Sequence, residues 1–371
     1  MTISGWQQEE QELISLETFI SRGPAPLLGI DISSSTVKLV ELGRKPDGTL
    51  VLERCGIEPL ERGWVNEGNV EKFDEVVGAM RRLLDKCASK TRHVALALPG
   101  SAVITKKILL GADLAADELE AQVEAEASQY IPFPLTEVSL DFCVIGPSAT
   151  AADMLDILLA ASRKEKVSDR QALAEAAGLV PVVMDVEPYA SRLAAGRVIE
   201  ALPSQGRDAL IALFEVGSHT TSLQVIRNDD VIYERDQVFG GALLSQQIAQ
   251  KYGMSFEEAD ARKKSRELPP DYDSRVLAPF LDTLGQEIGR ALQFFFTSTP
   301  HNKVDHVLLS GGCAALPGVM EAVAAQTSFP CRIINPFDGM VLGPEVKAGM
   351  LASEATSYLV ATGLALRRFH S

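Results

Sequence analysis

Two stretches of the chain repeat one arrangement of residues suited to gripping phosphate. Leu28-Gly29-Ile30-Asp31-Ile32 leads into Ser33-Ser34-Ser35-Thr36 and on to Val37-Lys38-Leu39-Val40. Leu213-Phe214-Glu215-Val216 leads into Gly217-Ser218-His219-Thr220 and on to Thr221-Ser222-Leu223-Gln224-Val225. Each is an apolar strand reaching a carboxylate, a tight hydroxyl-rich turn and a second strand. In such a turn, successive backbone N–H groups and hydroxyls converge on one point and form an anion nest. Asp31 could hold a metal-bound water, and Lys38 offers a point charge to a phosphate oxygen. Glu215 stands where Asp31 stands, and Gly217 permits close approach of backbone to a ligand. A single Ser-rich hairpin is most often only a hairpin. Two at equivalent places in a duplicated chain point to a polyphosphate clamped with its metal from both halves.

Three further segments fit the same chemistry. Ser310-Gly311-Gly312 follows an apolar strand, and paired glycines remove side chains where a ribose or flat ring must lie on backbone. Phe239-Gly240-Gly241 opens a helix, either as a phosphate-facing N-terminus or as a plain bend. In Asp185-Val186-Glu187-Pro188-Tyr189, Glu187 could orient a water toward a terminal phosphate, or simply favour the first turn of a helix. The sequence has no GxxxxGK[ST] loop, GxGxxG fingerprint, GxSxG elbow or kinase HRD and DFG pair. Asp113, Asp117, Glu118, Glu120, Glu124 and Glu126 read as a solvated helix face.

The elements that must position these residues alternate between strand and helix. The 371 residues suffice for about two domains with cores of their own. A net charge of −15 argues against nucleic acid and anionic lipid as partners. No apolar run approaches the ~20 residues of a membrane span. Five scattered cysteines, with no CxxC, fit a reducing cytoplasm rather than a disulfide framework or a zinc site. Residues 1–24 read as an acidic extension, either a partly disordered leader, which is the commoner case, or a short amphipathic helix, broken at Gly23-Pro24-Ala25-Pro26. A β-meander from Leu27 to Glu61, a helix over Val70–Cys87 and a strand over Val94–Leu98 make one βββαβ unit. Residues 101–181 interrupt that rhythm as an inserted αβ subdomain, its last helix ending at Gly178. A second meander runs from Asp208 to Tyr233 with Asn228-Asp229 as its turn, and helices dominate Gly241–Ser298. The fold class is α/β, with two duplicated βββαβα halves. The first half takes 25–100 and 182–205, the second 206–240 and 299–357. A helical subdomain takes 241–298, and a final helix at 358–371 packs on the first half.

The paired hairpins, the Asp-Val-Glu-Pro segment and the late Ser-Gly-Gly resemble the actin-like ATPase superfamily. More narrowly, the run Leu28–Leu42 resembles the opening of the PilM family, actin-like cytoplasmic proteins of type IV pilus assembly. Pro99-Gly100-Ser101-Ala102-Val103-Ile104-Thr105-Lys106, Gln129-Tyr130-Ile131-Pro132-Phe133-Pro134 and Leu140-Asp141-Phe142 are similar to that family too. The resemblance covers residues 27–371 and implies an FtsA-like arrangement in which 101–181 replaces actin's usual small subdomain. It implies ATP with Mg²⁺ between the halves. Ser33, Ser34, Ser35, Lys38, Gly217, Ser218, His219 and Thr220 would then contact phosphates, and Gly240, Gly241, Gly311 and Gly312 would line the ribose and adenine. Asp260 and Lys263 would lie toward the adenosine, Asp31 and Glu215 around Mg²⁺, and Glu187 would position water. The catalytic set implied is Glu187, Glu215 and Asp31.

The resemblance also implies a scaffold peripheral to the inner membrane, touching the membrane only indirectly. It would dock the cytoplasmic N-terminal segment of PilN, reach PilO through it, and link the pilus motor ATPases to that complex. The docking groove would run through Leu109, Val123, Tyr130 and Phe133, and self-association stays open. Relatives commonly carry Asp-Ile-Gly where this chain has Glu215-Val216-Gly217. The extra methylene moves the carboxylate by ~1 Å, enough to disturb a positioned water. His219 replaces a small hydroxyl residue and Asp260 a longer Glu, so binding survives these changes better than hydrolysis, and any ATPase is slow. The alternatives are an FtsA-like filament or division protein and a small-molecule kinase of the same superfamily.

Overall fold

The first meander forms because two turn signals break a β-branched run. The computed structural model describes residues 25–148 and 151–370, so the acidic extension before Gly23, leader or helix, lies outside the described residues. Strands β1 (Leu28–Ile32), β2 (Thr36–Arg44) and β3 (Leu50–Pro59) pair antiparallel in sequence order. The β2–β3 turn works because Gly48 takes φ +88° and the Asp47 carboxylate accepts the Thr49 N–H at 2.9 Å. A two-rung ladder, β4 (Val65–Asn66) with β5 (Asn69–Val70), then leads to helix α1 (Phe73–Cys87). That ladder was invisible in the sequence pattern. Helix α1 buries Val76, Val77, Met80 and Leu83 against the sheet.

Strand β6 (His93–Leu98) runs parallel to β1. The insert then forms its own sheet, with β7 (Val103–Gly111), β8 (Val138–Pro147) and β9 (Met154–Arg163) in the order β7–β9–β8. Helix α2 (Ala116–Tyr130) covers it, burying Val123 and Ala127, while Asp117, Glu118, Glu120 and Glu124 face solvent as expected. Helix α3 (Lys164–Ala176) follows β9 with no intervening residue. It ends where Gly178 takes φ +83°, with Gly178 N–H donating to Glu175 O and Leu179 N–H to Ala174 O. Only a left-handed residue closes a helix that way. Strand β10 (Val180–Val186) returns parallel to β6, giving the order β10–β6–β1–β2–β3.

Helix α4 (Glu187–Glu200) opens on the candidate water-positioning residue. The chain divides within it: one unit runs up to Ala190 and resumes at Leu364, the other spans Ser191–Gly363. The second unit repeats the meander as β11 (Ile211–Val216), β12 (Thr221–Arg227) and β13 (Asp230–Gln237). Asn228 and Asp229 both take positive φ, +50° and +62°, as a hairpin turn matched to strand twist requires. Helices α5 (Gly241–Tyr252), α6 (Phe256–Ser265) and α7 (Ala278–Ser298) follow, and a π-turn over Asp273–Leu277 precedes α7. Strand β14 (His306–Ser310) runs parallel to β11, helix α8 (Val319–Thr327) follows, and β15 (Cys331–Ile333) completes the order β13–β12–β11–β14–β15. Phe214, Phe280, Leu284 and Phe295 fill this unit's core.

The chain's last segment is tied into the first unit by charge. Arg367 Nε donates to Asp185 Oδ2 at 2.6 Å, and the Asp185 side chain is wholly buried on β10. Arg368 Nη1 donates to the Leu42 carbonyl at 2.7 Å. A buried carboxylate stripped of its guanidinium is left uncompensated, so Arg367→Met should lower unfolding free energy in a urea titration by about 3–5 kcal/mol. Adding Asp185→Asn to that variant should recover part of the loss; no recovery would mean the pair is not the tie.

Candidate functional site

In the first unit the β1–β2 register sets Asp31 directly opposite Lys38. Lys38 Nζ donates to Asp31 Oδ2 at 2.7 Å and approaches Ser33 Oγ at 3.4 Å, and Asp31 is only 5% exposed. Lys38 is therefore the counter-ion of Asp31, not a charge projecting from the turn as the sequence suggested. A lysine and an aspartate buried together must neutralise one another. The Ser33 N–H donates to Thr36 O at 3.0 Å, and the Ser33 hydroxyl bonds the same carbonyl. Ser33 thus closes the turn, and Ser34 and Ser35 form its crest.

In the second unit the turn closes with Gly217 N–H donating to Thr220 O at 2.9 Å. Helix α5 is packed onto this turn backbone to backbone. Gly241 N–H donates to Gly217 O at 3.0 Å and Ala242 N–H to Ser218 O at 2.8 Å. A Cβ on Gly240 would stand 2.5 Å from Ser218 O and 2.6 Å from Gly217 O, so only glycine fits there. Two of the first amides of α5 are consumed by the turn, which favours the bend over a phosphate-facing helix start at Gly240-Gly241. His219 and Thr220 are exposed at the crest, while Gly217 and Ser218 are half-buried. Glu215 pairs in register with Ser310 on β14, and its Oε2 accepts from the Ser191 hydroxyl at 3.1 Å.

Beside this turn, Gly311 takes φ +89°, and a Cβ there would press into the Val216 backbone. Thr356 locks the same point from 45 residues away. Its carbonyl accepts from the Gly311 N–H and the Ser310 hydroxyl, each at 2.8 Å, and its hydroxyl donates to Gly311 O at 2.9 Å. Gly312 is exposed, and a Cβ there would meet nothing within 4 Å. The strand-to-helix turn is therefore clamped at Gly311 and open at Gly312. Cys313 is buried, and its thiol donates to Gly217 O at 3.3 Å; burial pushes that thiol up to about 11.

Asp260 and Lys263 meet Ser245, a residue that the sequence did not single out. Ser245 is fully buried one turn into α5, and its hydroxyl donates to Asp260 Oδ1 at 2.8 Å. Lys263 Nζ reaches Gly241 O at 3.2 Å, the Ser245 hydroxyl and Asp260 Oδ1 at 2.8 Å, so its three protons are all engaged. Burial would raise the Asp260 carboxyl, but Lys263 and Lys264 outweigh it and hold the group well below the ordinary carboxylate range. The one signal for Ser245 was a hydroxyl on the buried face of an amphipathic helix, between Leu244 and Ile248. Thr356 left no local signal at all.

In the insert, Leu109 and Tyr130 are each 43% exposed. Phe133 is half-buried under the Arg163 guanidinium, 4.0 Å from its ring centroid. Val123 is 1% exposed, so it fastens α2 to its sheet and does not face a partner; the period that places it near Tyr130 points inward. Among the described residues, no group of three or more His, Cys, Asp or Glu is placed to hold a metal ion, and no helix is long and apolar enough to cross a membrane.

A family model described as the type IV pilus assembly protein PilM matches residues 29–369. The chain belongs to the PilM family. A PilM-PilN type IV pilus biogenesis complex is similar at 28% identity and a TM-score of 0.76, over 95% of this chain and all of that one. The ethanolamine utilization protein EutJ from Carboxydothermus hydrogenoformans superposes with a TM-score of 0.57 at 16% identity, over 93% of this chain and 90% of that one. A glycerol dehydratase reactivase reaches 0.50 at 11% identity, over 93% and 100%. The last two show the fold alone, which is actin-like. This PilM-family chain is thus an actin-like protein of type IV pilus assembly.

The Asp260 cluster has a pH signature. A carboxyl whose folded pKa is depressed adds stability above its unfolded pKa of about 3.9, and that stability is lost as pH falls through the folded value. Melting temperature should therefore drop on acidification below about pH 4, and Asp260→Asn should flatten that acid limb. An unchanged limb would show that the two lysines do not act on Asp260.

Proposed function

We propose that this PilM-family chain binds ATP with Mg²⁺ and works as a scaffold at the cytoplasmic face of the inner membrane. The observation that carries the nucleotide reading is the clamped-then-open pair Gly311-Gly312 beside the Gly217–Thr220 turn. Backbone fixed by Thr356 ends in a stretch with no side chain and free space around it, which suits a ribose or a flat ring. Ser34, Ser35, Gly217, Ser218, His219 and Thr220 would meet phosphates, and Lys38 would support that contact by holding Asp31. Asp260 and Lys263 would act on the adenosine side, largely by fixing α5 at Gly241. Mg²⁺ is content with one or two carboxylates, waters and phosphate oxygens, which fits single carboxylates at Asp31 and Glu215 better than a protein cage. When bound, the ion would polarise the terminal phosphate.

Glu187 would orient the attacking water. Glu215 bonds Ser191, and His219 stands exposed at the crest where small hydroxyl residues are usual, so turnover should be slow. The residues 25–100 with 182–205, and 206–240 with 299–357, would be the two actin-like halves. Residues 101–181 would be the docking insert, 241–298 the helical subdomain, and 358–371 a closing helix on the first half. The insert would take the N-terminal segment of a PilN protein across exposed Leu109 and Tyr130, with PilO and the pilus motor ATPases reached through the assembly. The PilN element in the similar solved complex supports that reading.

Two measurements test it. Titration of the full chain with a fluorescent ATP analogue and Mg²⁺ should show saturable binding, and Gly312→Trp should abolish it without lowering the melting temperature. Equal binding by that variant would remove the glycine site. In a pull-down with a PilN N-terminal peptide, with and without ATP, Leu109→Glu and Tyr130→Ala should each weaken capture; full capture by both would move docking elsewhere.

A further inference from the structure

Helix α3 carries an arginine whose burial the family reading does not use. Arg170 is 3% exposed, and a guanidinium taken out of water needs its donors satisfied. Nη2 donates to the Gly68 carbonyl at 3.0 Å, at the tip of the β4–β5 ladder. Nη1 is buried and has no hydrogen-bond partner. One helical turn away, Lys166 Nζ donates to Asn69 Oδ1 at 2.7 Å, so α3 grips the ladder at two points. Arg170 lines a cavity of about 20 Å³ bounded by Gly68, Leu98, Pro99 and Ala102. That space admits one water and excludes a phosphate. It is not an anion site.

The sheet register says what lies next to it. Leu98, in the cavity wall, stands opposite Val186 on β10, and the residue after Val186 is Glu187. A Cβ on Gly100 would come within 3.0 Å of Pro188 Cγ, so the two strand ends emerge side by side. Gly29 pairs with Ala95 on β6, and Asp31 lies two residues further along β1. Burial lowers the Arg170 pKa, and Glu187, then Asp31, then Asp169 act against that loss of charge. Asp31 already has its cation in Lys38 at 2.7 Å, and Asp169, although it too lines the cavity, is exposed to water that screens its charge. Glu187, which follows the strand end beside the cavity wall, is the remaining carboxylate.

We propose that Arg170 is a positioning residue for Glu187, holding that carboxylate in place with the charge of its buried, unpaired Nη1 beside the paired ends of β6 and β10. The inference rests on the reading of Glu187 as the residue that orients the attacking water. Nη2 anchors the guanidinium to the Gly68 carbonyl, and the planar fork fixes the direction of Nη1. Lysine would keep the charge and lose that direction.

The test separates binding from turnover in the full chain. ATP affinity is measured with a fluorescent analogue, and hydrolysis in single-turnover reactions with radiolabelled ATP. Arg170→Gln should leave affinity within about twofold and slow hydrolysis by about tenfold or more, with Arg170→Lys in between. In a Glu187→Gln background, Arg170→Gln should slow hydrolysis no further. Wild-type hydrolysis by Arg170→Gln, or a full additional loss in that background, would overturn the proposal. Where Arg170→Gln does not fold, Arg170→Lys decides: a slowed rate at unchanged affinity supports the assignment, and an unchanged rate refutes it. A wild-type chain that binds ATP without hydrolysing it sinks this inference alone. One that binds no ATP sinks the proposed nucleotide function as well.

Discussion

Backbone packed directly on backbone is the constraint around which the second unit is arranged. The Gly217 carbonyl accepts from the Gly241 N–H at 3.0 Å and from the Cys313 thiol at 3.3 Å. One oxygen therefore joins the β11–β12 turn, the start of α5 and the strand-to-helix turn after β14. Such closeness excludes side chains, which is why glycine stands at 217, 240, 241 and 311. The Asp260–Lys263–Ser245 cluster then fastens α6 to the same point through Gly241 O. In the first unit the corresponding turn is held differently, by a buried ion pair beneath it and by Ser33 folding onto Thr36. Two similar hairpins are thus rigid for different physical reasons, one electrostatic and one steric.

Most of the architecture was legible because it rests on local signals. The meander followed from Asp47-Gly48, the end of α3 from Gly178, and the second hairpin turn from Asn228-Asp229; each needed a positive φ that those residue types accept. The face of α1 followed from helical spacing. What escaped has no local signature. The β4–β5 ladder is two residues a side, too short to show alternation. The π-turn before α7 differs from an α-helix only in hydrogen-bond partner. At the site, Asp31, Glu215 and the glycines could be picked out because type and spacing alone suggested a job. Thr356 could not, since it acts on Gly311 from a distant segment. For Lys38 and Val123 the sequence pattern points one step too far outward. Register turned the first onto Asp31, and the helical period turned the second into the core.

The insert is joined to the rest of its unit without slack. Strand β9 becomes α3 at consecutive residues, α3 becomes β10 through one tight cap, and β10 runs straight into α4 at Glu187. The insert sheet and Glu187, for which docking and water orientation are proposed above, are therefore connected by regular structure. Arg170 and Lys166 sit on the middle of that connection and grip the β4–β5 ladder from it.

The buried thiol at Cys313 has a use that its surroundings confer. Its pKa of about 11 and its hydrogen bond to Gly217 O keep it protonated and shielded, so thiol reagents at neutral pH reach it only when the turn lets go. Cys143, on the insert surface, is exposed and should be labelled first. The chain thereby contains its own clock. The delay between alkylation of Cys143 and of Cys313 measures how often the glycine-lined turn opens, and a ligand that settles on that turn should lengthen the delay.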